Sequence, residues 1–172
     1  MSNSADPRYA PPSAQVADVP ATESALAGRG IRLVAAIVDG IVLFAVYWAV
    51  TQIPAIGTWV EAETAASSTS VLGFAPLSTL FSFALFLIVQ GWLLVARGQT
   101  VGKMCFKLRI ERSDGSKPDA WRLLGLRYGI GYLAAVNWVA VTVYSLVDSL
   151  LIFRDSRKCL HDSIADTRVI QL

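Results

Sequence analysis

Arg32 and Asp39 lie seven residues apart in an otherwise apolar run. Seven residues make about 700° of α-helix, so the two side chains share a face to within about 20°. Asp148 and Arg127 stand in similar surroundings in the last apolar region. A charge at the centre of a bilayer costs at least about 2.5–3.5 kcal/mol, so each of these groups must face protein or a wet cavity. Arg32, nearer the end of its run, can snorkel to the interface. The four residues are charge-balanced and are expected to converge as an intramembrane network. Such a network can bind protons or cations, or it can fix helix register as buried ion pairs and carry nothing.

The elements that position these residues follow from hydropathy. Of 172 residues, 54% are hydrophobic and only 16% charged, which displaces the chain from soluble proteins toward lipid. Residues 31–53 and 77–96 are each long enough to cross a hydrocarbon core of about 30 Å. Tyr47, Trp48 and Trp59 lie near the end of the first as interfacial aromatics. The stretch between them, about 55–76, carries Glu61 and Glu63 but no basic residue, and is read as a connection. Residues 120–153 are too long for one span and short for two. The basic clusters at 97–119 and after Phe153 belong on the cytoplasmic side, so an even number of crossings is required. A helical hairpin results, with arms near 120–135 and 138–153 turning at Val136–Asn137.

Residues 1–27 are rich in Ala, Pro and Ser without an apolar run, and read as a disordered cytoplasmic tail rather than a signal peptide. Residues 28–172 form the membrane domain. Phe106–Glu111 alternates apolar and polar residues before a Ser-Asp-Gly-Ser turn, and Thr167–Leu172 reads as a strand able to pair with it. The two make a small cytoplasmic cap.

Other motifs carry less. Gly98-Gln-Thr-Val-Gly-Lys103 lacks the first glycine and the final Ser or Thr of a phosphate loop, so Lys103 is read as facing lipid phosphates at the surface. Cys105, Cys159, His161 and Asp162 match no zinc spacing, so no metal is expected. No nucleophile has an evident base and no cofactor loop is present, which argues against an enzyme. The net charge of +2 is too small to call for nucleic acid. Gly125-Leu-Arg-Tyr-Gly129 is a GxxxG pattern that favours close helix packing.

Taken together, GRGIRLVAAIVDGIVL (28–43), GQTVGKMCFKLRIERSDGSKP (98–118), LRYGIGYL (126–133) and CLHDSIADTRVI (159–170) resemble the RDD family of small prokaryotic membrane proteins, named for one Arg and two Asp. The resemblance implies that the Arg and first Asp are Arg32 and Asp39, and that the second Asp is Asp162 rather than Asp148. Asp162, with Lys103 and Thr167, would then lie at the cytoplasmic interface. The family has been linked to transport, including cation/proton exchange.

The expected fold is an all-α membrane protein of four helical segments, two full transmembrane helices and a C-terminal hairpin, with the cap beneath. The expected setting is the bacterial inner membrane, multi-pass, with both termini cytoplasmic. The expected function is a proton- or monovalent-cation-coupled carrier or channel, without cofactor. The alternative is an assembly scaffold that binds another membrane protein. So small a bundle is expected to work as a homo-oligomer.

Overall fold

The computed structural model describes residues 26–68 and 73–172. Helix α1 spans Arg29–Thr51, and α3 spans Pro76–Arg97; both are long and apolar enough to cross a membrane. Their outward residues, among them Leu33, Ile37, Ile41, Phe44, Leu80, Ile88 and Trp92, are exposed. Only 11% of the apolar window of α1 is buried within the protein. An unburied apolar band on this scale is a lipid-facing surface. This is a membrane protein.

Helix α2, Pro54–Ser68, occupies a stretch read from the sequence as a connection. Pro54 needs no N–H at a first helical position, and Ala62, Ala65 and Ala66 with the two glutamates favour helix in the second half. The helix buries no residue and touches α3 through Trp59, whose ring lies 5.6 Å from Phe81.

Helix α3 is interrupted by one π-helical turn, Leu87–Gly91, which contains the buried Gln90. It ends at Gly98, whose left-handed backbone (φ 66°) returns its N–H to the Leu94 carbonyl at 2.8 Å. Thr100 then caps the short helix α4, Val101–Cys105. Strand β1, Leu108–Arg112, pairs antiparallel with β2, Thr167–Gln171, with Ile110 opposite Val169. The expected pairing is therefore present.

Helix α5 covers residues 121–134, π-wound over Trp121–Gly129 and α-helical over Ile130–Ala134. Asn137 caps α6, Trp138–Leu151, by accepting from Val139 and Ala140 at 2.9 and 3.0 Å. The GxxxG pattern serves the winding of α5: a Cβ on Gly125 would meet the Trp121 ring of the same helix. A last short helix, α7, spans Leu160–Ile164.

The core sits where the membrane helices meet the sheet. Ala35, Phe86, Leu94, Leu108, Ile110, Leu123 and Val169 are buried together there. Of the expected N-terminal tail, residues 1–25 lie outside the described residues. Residues 26 and 27 correct it, because Leu26 bridges to Ile170 and the Ala27 N–H donates to Val169 O at 3.0 Å. The chain thus enters α1 from the edge of the sheet.

Gly102 lets α4 lie directly on α1. A Cβ there would collide with the Ala35 carbonyl and sit 3.0 Å from the Asp39 carboxyl carbon. Gly102→Ala is expected to cost about 1–3 kcal/mol, which lowers the thermal midpoint by several degrees in detergent. Gly40→Ala is the comparison, since nothing lies within 4 Å of a Cβ at that position. It should leave the midpoint unchanged or raised.

Candidate functional site

Three polar clusters lie around the junction of helices and cap. In the first, Asp162 is fully buried and accepts from Arg32 of α1 through Oδ2 and from Arg127 of α5 through Oδ1. Arg127 also donates to the Thr167 hydroxyl at the start of β2. Arg32 reaches the Arg157 carbonyl at 2.5 Å and the Cys159 sulfur at 3.6 Å. One carboxylate therefore holds α1, α5, α7 and β2 together. Burial alone would raise the Asp162 pKa, but Arg127, His161 and Arg32 hold it well below the usual carboxylate range.

The second cluster surrounds Asp39. Its Oδ1 accepts from Gln90 Nε2 at 2.9 Å and from the Gly102 N–H at 2.7 Å. Its Oδ2 accepts from the Thr100 hydroxyl at 2.5 Å and faces Lys103 Nζ at 3.9 Å. Gln90 is held in turn by the Val101 N–H at 2.9 Å, so the π-helical turn of α3 presents a side chain that ties α1 to α4.

In the third cluster His161 faces Asp148, with Nδ1 at 2.7 and 2.9 Å from the two carboxylate oxygens. The His161 N–H donates to the same carboxylate at 3.0 Å. Burial, reinforced by Arg127, pulls the imidazole pKa down, while burial pushes the Cys159 thiol up to about 11.

The sequence-based expectation that Arg32, Asp39, Arg127 and Asp148 converge is corrected by this geometry. Arg32 and Asp39 share a face but stand about 10 Å apart along the helix axis. Arg32 turns into the cap, while Asp39 meets α3 and α4. Both arginines take Asp162, and Asp148 takes His161. Lys103, expected at the interface, stands beside Asp39, and Thr167 against Arg127. Gln90, Thr100 and His161 were not among the expected site residues. A capping threonine, a lone histidine and a mid-helix glutamine carry no signal until their partners are known.

A cavity of about 490 Å³ opens between α1 and α6, bordered by Arg32, Lys103, Arg127, Asp148 and His161. A second, of about 310 Å³, borders Arg127, Tyr144 and His161. Arg127 Nε and the Tyr144 hydroxyl are buried and hydrogen-bond to no atom of the described residues.

One buried carboxylate from the last motif is set against the arginine of the first helix, and the RDD family model matches residues 26–166. The chain belongs to the RDD family. No curated protein and no solved structure shows a significant match. In this RDD protein the residues implied by the family's name, Arg32, Asp39 and Asp162, occupy two separate clusters.

Removing the Asp162 charge strands two arginines. Asp162→Asn is expected to destabilise the protein by about 3–5 kcal/mol in equilibrium unfolding. The pH sign follows from the depressed pKa. The stabilisation is present above the ordinary carboxylate value of 3.8 and is lost only in stronger acid, as pH falls through the depressed one. Between neutral pH and about pH 5 the Asp162 contribution should therefore stay flat.

Proposed function

We propose that the protein moves protons or monovalent cations across the bacterial inner membrane, with Asp39 and Asp148 as the acidic groups along the route. The observation that carries this reading is the 490 Å³ cavity, which touches Asp148 and His161 directly and reaches Asp39 through Lys103. A volume of that size admits water wherever polar partners are present, and here seven charged or titratable side chains border it: Arg29, Arg32, Lys103, Arg127, Asp148, Cys159 and His161. The orphaned Arg127 Nε and Tyr144 hydroxyl support hydration of the neighbouring cavity as well.

In the same reading α5 and α6 form a hairpin that enters the membrane and returns, so both chain ends are cytoplasmic. The basic residues at 97–119 and 154–168 then lie on one side, as the positive-inside bias requires. The clamp made by Asp162 is the fixed floor of the cavity. Lys103 is the cation that links the cavity to the Asp39 cluster, held by Thr100 at 3.5 Å and the Tyr128 hydroxyl at 3.4 Å as well as by Asp39. The single chain leaves a small bundle, and a homo-oligomer is part of the proposal.

Reconstituted liposomes carrying a pH dye inside test this directly. The protein should dissipate an imposed pH gradient when sodium or potassium is added. Asp39→Asn and Asp148→Asn, checked for monodispersity and thermal stability, should fall to the level of empty liposomes. Wild-type protein that shows no flux above empty liposomes, or folded variants that keep full flux, would overturn the reading and leave membrane assembly as the role to pursue.

A further inference from the structure

We infer that Asp148, Cys159 and His161 form a binding site for one zinc-like divalent cation at the edge of the larger cavity. One ligand atom from each residue lies within 4.8 Å of the other two, and all three residues line the 490 Å³ cavity. A tetrahedral zinc ion holds sulfur at about 2.3 Å and nitrogen or oxygen at about 2.0–2.2 Å, which sets its ligands about 3.2–3.7 Å apart. His161 Nδ1 and the Asp148 oxygens, at 2.7 and 2.9 Å, need only open slightly. The thiol needs to close by about 1 Å at most. No zinc pattern is visible in the sequence because the carboxylate comes from α6, across the loop that leads to α7.

The choice of cysteine at position 159 is the telling detail. The residue stands at the cap of α7, where an oxygen acceptor serves the backbone better than sulfur does. The cap is reciprocal: Asp162 accepts from the Cys159 N–H at 3.2 Å, and the Cys159 sulfur takes the weaker return contact from the Asp162 N–H. The thiol itself is buried beside an imidazole and a carboxylate, and that combination selects a borderline-soft ion over magnesium or calcium.

Charge and outer contacts fit the same ion. Thiolate and carboxylate together cancel its two positive charges, which lets it sit in a poorly solvated place. Binding exchanges the Cys159 thiol proton for a metal–sulfur bond, releases that proton to solvent, and involves no change of oxidation state. The imidazole proton moves from Nδ1 to Nε2, which faces Asp162 Oδ1 at 3.7 Å. Arg32 Nη2, 3.6 Å from the sulfur, donates to the bound thiolate. Three protein ligands leave a fourth position toward the cavity for water. The site shares Asp148 and the cavity with the route proposed above, but its test reads metal binding alone, so either proposal can fail without the other.

The test uses tag-free, full-length protein in detergent, titrated with cobalt(II) and then zinc(II). One equivalent of cobalt should produce a thiolate-to-cobalt charge-transfer band, which zinc abolishes. Cys159→Ser should lose the band, and His161→Gln should weaken binding by roughly 100-fold or more. Cys105→Ser, which alters the exposed cysteine of α4, should keep it. X-ray absorption of zinc-loaded wild-type protein needs no variant and should show one sulfur and two protein N/O ligands. Absence of the band in wild type, its survival in Cys159→Ser, its loss in Cys105→Ser, or a sulfur-free zinc shell would each overturn the site.

Discussion

The structure depends on one carboxylate shared by two arginines. Asp162 is out of contact with solvent, as is nearly all of Arg127, and Arg32 is almost so. Leaving either arginine without a counter-charge in such a place would cost several kcal/mol, so the three groups must form together or not at all. Their chain positions span 130 residues between Arg32 and Asp162. The first membrane helix, the π-wound helix α5 and the C-terminal segment are therefore joined by a long-range electrostatic constraint. The sheet packs from the other side, with Leu108, Ile110 and Val169 buried against Ala35, Leu94 and Leu123.

Around that fixed point the remaining polar groups form two further clusters. Asp39 is bound by an amide, a hydroxyl and a backbone N–H, a set that holds a carboxylate in place with only one cation nearby. Asp148 and His161 keep partial exposure at the cavity. The buried triad holds the protein together, whereas Asp148 and His161 border the cavity and Asp39 is linked to it through Lys103, the arrangement on which the proposed ion movement rests.

What the sequence disclosed was what depends on local pattern. The apolar runs located α1 and α3, and the alternation in Phe106–Glu111 located the strand that pairs with the C-terminus. The resemblance pointed to Asp162 rather than Asp148 as the second acidic residue of the family pattern, and the structure places Asp162 between both arginines. Pairing across long separations was not legible. Helical periodicity gives the direction of Arg32 and Asp39 but not what stands opposite them, so the two were assigned to one network when they serve two. Helix α2 was not legible because Pro54 and Gly57 read as the end of the preceding run, although proline is well placed at a first helical position. The π-helical turns, which aim Gln90 and Arg127 inward, have no signature in composition.

The shared carboxylate is tested most directly by a double-mutant cycle on Arg127→Met and Asp162→Asn, followed by reversible unfolding in mixed micelles. If one buried charge pair governs the junction, the second substitution costs far less once the first is present, with a coupling of about 1.5–3 kcal/mol. Costs that add to within about 0.5 kcal/mol would show the two side chains to be energetically separate, and would contradict the account.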